Sequence, residues 1–72
     1  MASNLKVFKV EGLVIEALPG LLFRVRLEGE REVLAYIGGK MKLNRIRVIP
    51  GDRVLIEMLD LNDRRGRIVR RL

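Results

Sequence analysis

Hydrophobic residues in this 72-residue chain recur at every second position, in short runs rich in β-branched side chains. The alternation is clearest in the stretches 10–14, 23–27, 33–37 and 54–58, and Ile68 lies in a fifth run. A period of two is typical of a β-strand with one buried face, and β-branched residues fit the pleated surface of a sheet. The sequence therefore predicts an all-β fold built from five half-buried strands.

Turn-forming residues separate these runs at Pro19-Gly20, Glu28–Glu30, Pro50–Asp52 and Asn62–Gly66. The last glycine of this set is expected to lie in a turn with dihedral angles that other residues avoid. Only the stretch 38–44 lacks strict alternation, and its residues predict one short helical turn.

Five short strands and one longer connection predict a small closed barrel, because closure removes the exposed edges of a sheet. The prediction is a five-stranded OB-fold barrel with a short helical turn between strands three and four. An SH3-like barrel is the alternative. We expect one domain over residues 1–72.

The chain contains no Cys and no His. Disulfides, thiolate or imidazole metal sites, and Cys or Ser–His nucleophiles are therefore excluded. Asp60 and Asp63 form the only close carboxylate pair in the basic half, and they fall in a predicted turn, where Asp commonly serves the turn itself. We expect no enzyme, cofactor or metal, so a small nuclease is disfavoured. The longest apolar stretch, 17–23, is too short to cross a bilayer.

Positive charge is concentrated in the second half of the chain. Residues 1–36 carry five basic and five acidic side chains, whereas residues 37–72 carry ten basic and four acidic ones, which accounts for the net charge of +6. Arg outnumbers Lys eight to two in that half. Because Arg forms bidentate contacts with phosphate and stacks on bases, the sequence predicts a nucleic-acid partner.

The first candidate binding segment carries four cations in eight residues: Lys40, Lys42, Arg45 and Arg47. In an extended backbone both arginines project from one face, while Ile46 and Val48 point to the core. Met41 lies between the two lysines. It either plugs the end of the barrel or presses against a base or ribose.

The second candidate segment lies near the C-terminus. Arg65 and Arg67 flank Gly66 with matching parity, and Ile68 anchors Arg67 to the core. Arg70 and Arg71 are expected in a frayed terminus.

Arg24 and Arg26 form a third basic pair, on the outward face of the second strand. Surface ion pairs with Glu28 and Glu30 are expected there, and Arg24 is retained as a secondary RNA contact.

The chain has few aromatic side chains, namely Phe8, Phe23 and Tyr36. Proteins that bind single strands generically use several stacking aromatics, so recognition of structured RNA through its backbone and shape is favoured. A general RNA-binding OB-fold protein, or an RNA chaperone of cold-shock type, is the alternative function.

Several strings, in order and spacing, resemble bacterial-type translation initiation factor one from Glu11 to Val69. They are Glu16-Ala17-Leu18-Pro19, Phe23-Arg24-Val25, Gly39-Lys40-Met41-Lys42, Ile46-Arg47-Val48, Pro50-Gly51-Asp52-Arg53-Val54 and Gly66-Arg67-Ile68-Val69. The resemblance implies a non-enzymatic OB-fold protein that binds rRNA at the A site of the small ribosomal subunit. Such a protein blocks premature tRNA entry and cooperates with initiation factors two and three. The first residues, Met1–Asn4, lead straight into an alternating segment and are not typical of a signal peptide, so a monomer in the cytoplasm or the plastid stroma is expected.

The resemblance also assigns rRNA-binding positions. Its binding loop falls on Lys40, Met41 and Lys42, and its basic strand position falls on Arg47. Its C-terminal Gly-Arg falls on Gly66 and Arg67, with the basic Arg65 before them, and Arg45 is included in the predicted rRNA-binding site for its own charge. Three positions depart from the usual family pattern: Tyr36 replaces a common His, Arg45 a common aromatic residue, and Asp60-Leu61-Asn62 a frequent Pro-Tyr-Asp.

Overall fold

The computed structural model describes residues 7–43 and 46–72. Within them, five strands form a closed barrel in the order β1-β2-β3-β5-β4. The strands are β1 (Phe8–Leu18), β2 (Leu22–Arg26), β3 (Glu32–Ile37), β4 (Arg53–Met58) and β5 (Arg65–Arg71), and helix α1 (Gly39–Leu43) follows β3. Strands β3 and β5 are parallel, and the other neighbours are antiparallel. The predicted OB-fold is confirmed, including the helical turn between the third and fourth strands.

The alternate positions that the sequence assigned to the core are buried. Val25, Ala35, Val54, Ile56 and Ile68 are fully buried. No charged or polar side chain is buried among the residues that the structure describes. The parity of the strands is therefore as predicted, and each strand turns its charged residues outward.

Strand β1 pairs with two different strands along its length, because it bends near its middle. Residues Phe8–Leu13 pair with β4, and residues Leu13–Leu18 pair with β2. A Cβ atom on Gly12 would lie 2.4 Å from Cγ1 of Val25. The missing side chain lets β1 pass close to β2 at the point where the two strands diverge.

The expectation that Gly66 lies in a turn was wrong. It is a buried residue of β5, opposite Ala35 of β3. A Cβ atom at this position would lie 2.4 Å from Cγ2 of Ile56 and 3.2 Å from the carbonyl oxygen of Glu57. Gly66 is required because β4 and β5 pack too closely there for a side chain, and it needs no unusual dihedral angle.

Helix α1 closes one end of the barrel through Met41, whose side chain is 2% exposed and belongs to the core. The N–H of Gly38 donates to the carbonyl of Ile68 at 2.9 Å, and the N–H of Ile46 donates to the carbonyl of Met41 at 3.0 Å. The first bond ties the residue before the helix to β5, and the second ties the segment after the helix back to it. No helix in the described ranges is long and apolar enough to cross a membrane.

The close approach at Gly66 gives a stability test. Gly66→Ala should lower the free energy of unfolding by about 1–3 kcal/mol, because the new methyl group forces Ile56 out of place. Gly39→Ala is the matched control: a Cβ atom there meets nothing within 4 Å, so its effect should stay within about 0.5 kcal/mol. Urea unfolding of both variants measures the difference. Equal stabilities would contradict the packing described for β4 and β5.

Candidate nucleic-acid interface

The helix that closes the barrel presents Lys42 and Leu43 to solvent while Met41 points into the core. Burial of Met41 agrees with its predicted role as a plug of the barrel end. Its assignment as an rRNA-binding residue stays a prediction. Lys40 belongs to the same helix. Its side chain and the whole of Arg45 lie outside the described part of the structure.

The segment after the helix keeps the predicted alternation without forming a strand. Val48 is buried, Ile46 packs against the core, and Arg47 between them is exposed. The parity is therefore as expected. Anchoring on both sides fixes the direction in which Arg47 leaves the barrel.

Arg71 lies beside Arg47 and was missed as a site residue. Its guanidinium donates to the carbonyl of Arg47 at 3.0 Å. The expectation of a frayed terminus was wrong for Arg70 and Arg71, because both belong to β5 and the N–H of Leu72 still donates to the carbonyl of Arg53 at 2.8 Å. The signal in the sequence was the β-branched pair Ile68-Val69, which continues the strand.

Arg67 is exposed on the outer face of β5, next to the start of α1. Cδ of Arg67 would lie 3.4 Å from a Cβ atom on Gly38, so its stem runs along that glycine. Its Nη2 donates to Oε1 of Glu57 on β4 at 2.5 Å. This hydrogen bond and the carboxylate charge raise the pKa of Arg67. Arg67 is therefore a cation whose counter-ion is already present, which the sequence pattern did not indicate.

Arg65 has a side chain exposed to a ligand, whereas Gly66 is buried. Arg65 is exposed on the same face as Arg67, two residues earlier in β5, which separates them by about 7 Å along the strand. Gly66 is buried between them, and its described role is the close packing of β5 against β4.

Arg24 is neutralised by acidic neighbours, though not by the predicted ones. It lies 3.2 Å from Glu16 and 3.7 Å from Glu32, while Arg26 lies 3.8 Å from Glu32. Glu16 faces Arg24 across the β1–β2 pair, and Glu32 faces Arg26 across the β2–β3 pair. Strand register places these carboxylates near the arginines, whereas Glu28 and Glu30 lie in a 3₁₀ turn beyond β2.

Tyr36 is half exposed on the outer face of β3 and faces Arg67 across the β3–β5 pair. Its parity, opposite to the buried Ala35 and Ile37, was the signal for an outward ring. An aromatic ring beside a guanidinium offers a stacking surface for a base.

The described residues provide no metal centre. Within residues 7–43 and 46–72, no group of three or more carboxylates is arranged to hold a metal ion. The Asp60 carboxylate accepts the N–H of Asn62 at 2.8 Å, which is the turn role predicted for it.

Taken together, the exposed cations near the closed end form what we call the capped-end surface: Lys42, Arg47, Arg67, Arg70 and Arg71. Arg67 is paired with Glu57, and no carboxylate within the described residues forms an ion pair with the other four. Such a surface attracts phosphate groups, and its arginines have the geometry for bidentate contacts.

Comparison with known proteins gives the family. The family model for translation initiation factor 1A / IF-1 matches residues 4–72. The solution structure of translation initiation factor one from the wolbachia endosymbiont strain TRS of Brugia malayi is 45% identical to the chain, with a TM-score of 0.76, over 100% of this chain and 88% of that one. The crystal structure of YjeQ from Thermotoga maritima, 24% identical with a TM-score of 0.71 over 90% of this chain and 23% of that one, shares the fold. The chain belongs to the translation initiation factor 1A / IF-1 family.

Proposed function

We propose that this protein binds rRNA at the A site of the small ribosomal subunit during initiation of protein synthesis. The observation that carries the proposal is the capped-end surface, a cluster of exposed cations held at one end of a rigid barrel in a member of an initiation factor family. Lys42 and Arg47 leave the barrel next to buried anchors, so the backbone from which each side chain extends is held in place before RNA arrives. Preorganised cations lose less conformational freedom on binding.

The proposed mechanism is occupancy held by electrostatic contacts. Lys42 contacts phosphate as a point charge, while Arg47 and Arg67 bind phosphates or displaced bases through their planar guanidinium groups. A single domain over residues 1–72, free in the cytoplasm or plastid stroma as a monomer, would fill the site and keep tRNA out of it. Cooperation with initiation factors two and three on the subunit belongs to the same proposal.

Alanine substitutions at the capped end test the binding residues. Lys42→Ala and Arg47→Ala should each reduce the salt dependence of subunit binding by about one unit, because each removes one phosphate contact. Thermal unfolding should be nearly unchanged, since both side chains are exposed. Arg47→Lys should restore only part of the affinity if the contact is bidentate.

Arg26→Ala is the control for these variants, because it removes the same charge from the end of β2, where Glu32 already pairs with it. Its salt dependence should equal that of the unsubstituted protein. An equal loss in all three alanine variants would show that only net charge matters and would contradict a localised site.

Glu57→Gln tests whether the carboxylate restrains Arg67. The substitution keeps the shape of the side chain and removes its charge, so Arg67 becomes free to bind phosphate. Subunit affinity and its salt dependence should both rise. Glu32→Gln frees Arg26 away from the capped end, while Arg24 stays paired with Glu16, and it should leave both unchanged. Weaker binding by Glu57→Gln would mean instead that the pair with Glu57 orients Arg67 for RNA.

Competition tests the location of binding. An aminoglycoside that occupies the decoding site should displace the protein from isolated small subunits, and excess protein should displace the drug. Co-sedimentation of labelled protein with the subunits measures the first direction, and the same titration with labelled drug measures the second. Simultaneous, independent binding of drug and protein would contradict the A-site proposal.

A further inference from the structure

The barrel has an unpaired edge along the first half of β1. Residues Phe8–Leu13 pair with β4 on one side, but pairing with β2 starts only at Leu13. Within the described residues, the stretch 8–12 therefore has a strand neighbour on one side alone. An unpaired strand edge is a template on which another extended chain can add.

The direction of the backbone groups on this edge follows from the hydrogen bonds of Val14. Its N–H donates to the carbonyl of Asp52 at 2.9 Å, and its carbonyl accepts the N–H of Gly51 at 2.8 Å, both on the β4 side. Successive residues of a strand direct their N–H and C=O groups to opposite sides, and the β1–β4 register is unbroken from Phe8 to Leu13. Lys9 and Glu11 therefore direct their N–H and C=O groups away from β4.

These groups open into a cleft of about 860 Å³. Residues 9–13 all line the cleft, although their side chains alternate between the two faces of the sheet. The cleft therefore lies along the edge of β1 and not over one face. The segment 26–28 and Leu61 lie on its other side, and the guanidinium of Arg31 donates to the carbonyls of Leu61 and Asp63. Arg31 thereby ties the β4–β5 connection to the β2–β3 connection and fixes this wall.

The charges of the cleft define what fits. Four cations line it, Lys9, Arg26, Arg31 and Arg53, against the two carboxylates of Glu11 and Glu28. Arg26 is paired with Glu32, whereas no carboxylate within the described residues forms an ion pair with Lys9 or Arg53. Leucine side chains at 13, 27, 55 and 61 supply apolar contact between these charges.

We propose that this edge binds an extended segment of a protein partner, with alternating acidic and apolar residues, as an added β-strand. Backbone groups of Lys9 and Glu11 pair with the segment. Its acidic side chains reach Lys9 and Arg53 on the outer face of β1 and β4, and its apolar side chains contact Leu27, which packs against the core on the inner side. The cleft includes none of the five cations of the capped-end surface, although Lys9 and Leu55 also line a smaller pocket beside Arg67 and Arg70. The edge at Glu11 is therefore the part of the cleft that tests this proposal separately from RNA binding. A second copy of the chain is disfavoured as occupant because the protein carries a net charge of +6 and the cleft is itself basic.

The test uses three capped octapeptides added to isotope-labelled full-length protein. One alternates glutamate and valine, one alternates lysine and valine, and the third is the acidic peptide with every second backbone nitrogen methylated. The acidic peptide should shift the NMR amide signals of Lys9 and Glu11 and slow their hydrogen exchange. N-methylation should weaken binding about tenfold or more, because it removes backbone hydrogen bonds without changing side chains. The basic peptide should not bind.

A variant pair tests the edge itself. Glu11→Pro removes the N–H that points into the cleft and leaves the β4 ladder intact, as proline does on edge strands. It should lose peptide binding about tenfold relative to Glu11→Ala, which keeps the N–H. A melting temperature far below that of Glu11→Ala would place this N–H in the β4 ladder and overturn the assignment.

Other occupants give different results. Equal binding of the methylated and unmethylated acidic peptides would exclude strand addition. A single-stranded RNA oligonucleotide that shifts Lys9 and Glu11 more strongly than the acidic peptide would identify the cleft as an RNA site. Sedimentation of the protein alone as a dimer, abolished by Glu11→Pro, would assign the edge to a second copy. Each of these outcomes overturns the proposal.

Discussion

The narrow interior of a five-stranded barrel is the constraint on which the rest of this structure depends. The interior has room for only one inward side chain from each strand at any level along the barrel. Where two neighbouring strands approach closely, one of them must therefore have a glycine. Gly66 meets that demand between β4 and β5, and Gly12 meets it where β1 leaves β2. Met41 of α1 then packs into the core at one end of the barrel. Because the inward positions are taken by the core, the charged side chains of the strands lie on the outward positions.

Strand parity was predictable because burial on one face imposes a period of two that survives in the sequence. The inward positions of β2, β3 and β4 are buried as expected, and Arg47 is exposed between Ile46 and Val48. Gly66 was assigned wrongly because a glycine among arginines resembles a turn, while the cause of the glycine is a contact with Ile56 in the neighbouring β4 strand. A sequence-local pattern carries no record of such a contact.

The sequence predicted which cations lie in the candidate site, but it did not predict which carboxylates pair with them. The basic second half of the chain correctly indicated a charged surface, but strand register decides which arginines keep a free charge. Glu57 faces Arg67 because β4 and β5 are neighbours, and Glu16 faces Arg24 because β1 and β2 are. Arg71 was missed for the related reason that its proximity to Arg47 arises from barrel closure, which brings the end of β5 next to the segment before β4.

Barrel closure also separates the two surfaces that this protein presents. A closed barrel leaves no edge, but β1 bends to serve two neighbours and cannot remain paired with β2 along its whole length. The same bend that allows closure therefore leaves the backbone groups of Lys9 and Glu11 that face away from β4 without a strand partner among residues 7–43 and 46–72. The cations of the capped end gather where β3, β5 and α1 finish. An RNA ligand and a protein segment would consequently meet different parts of one small barrel, and neither surface needs the other to form, because both follow from how the strands close around the core.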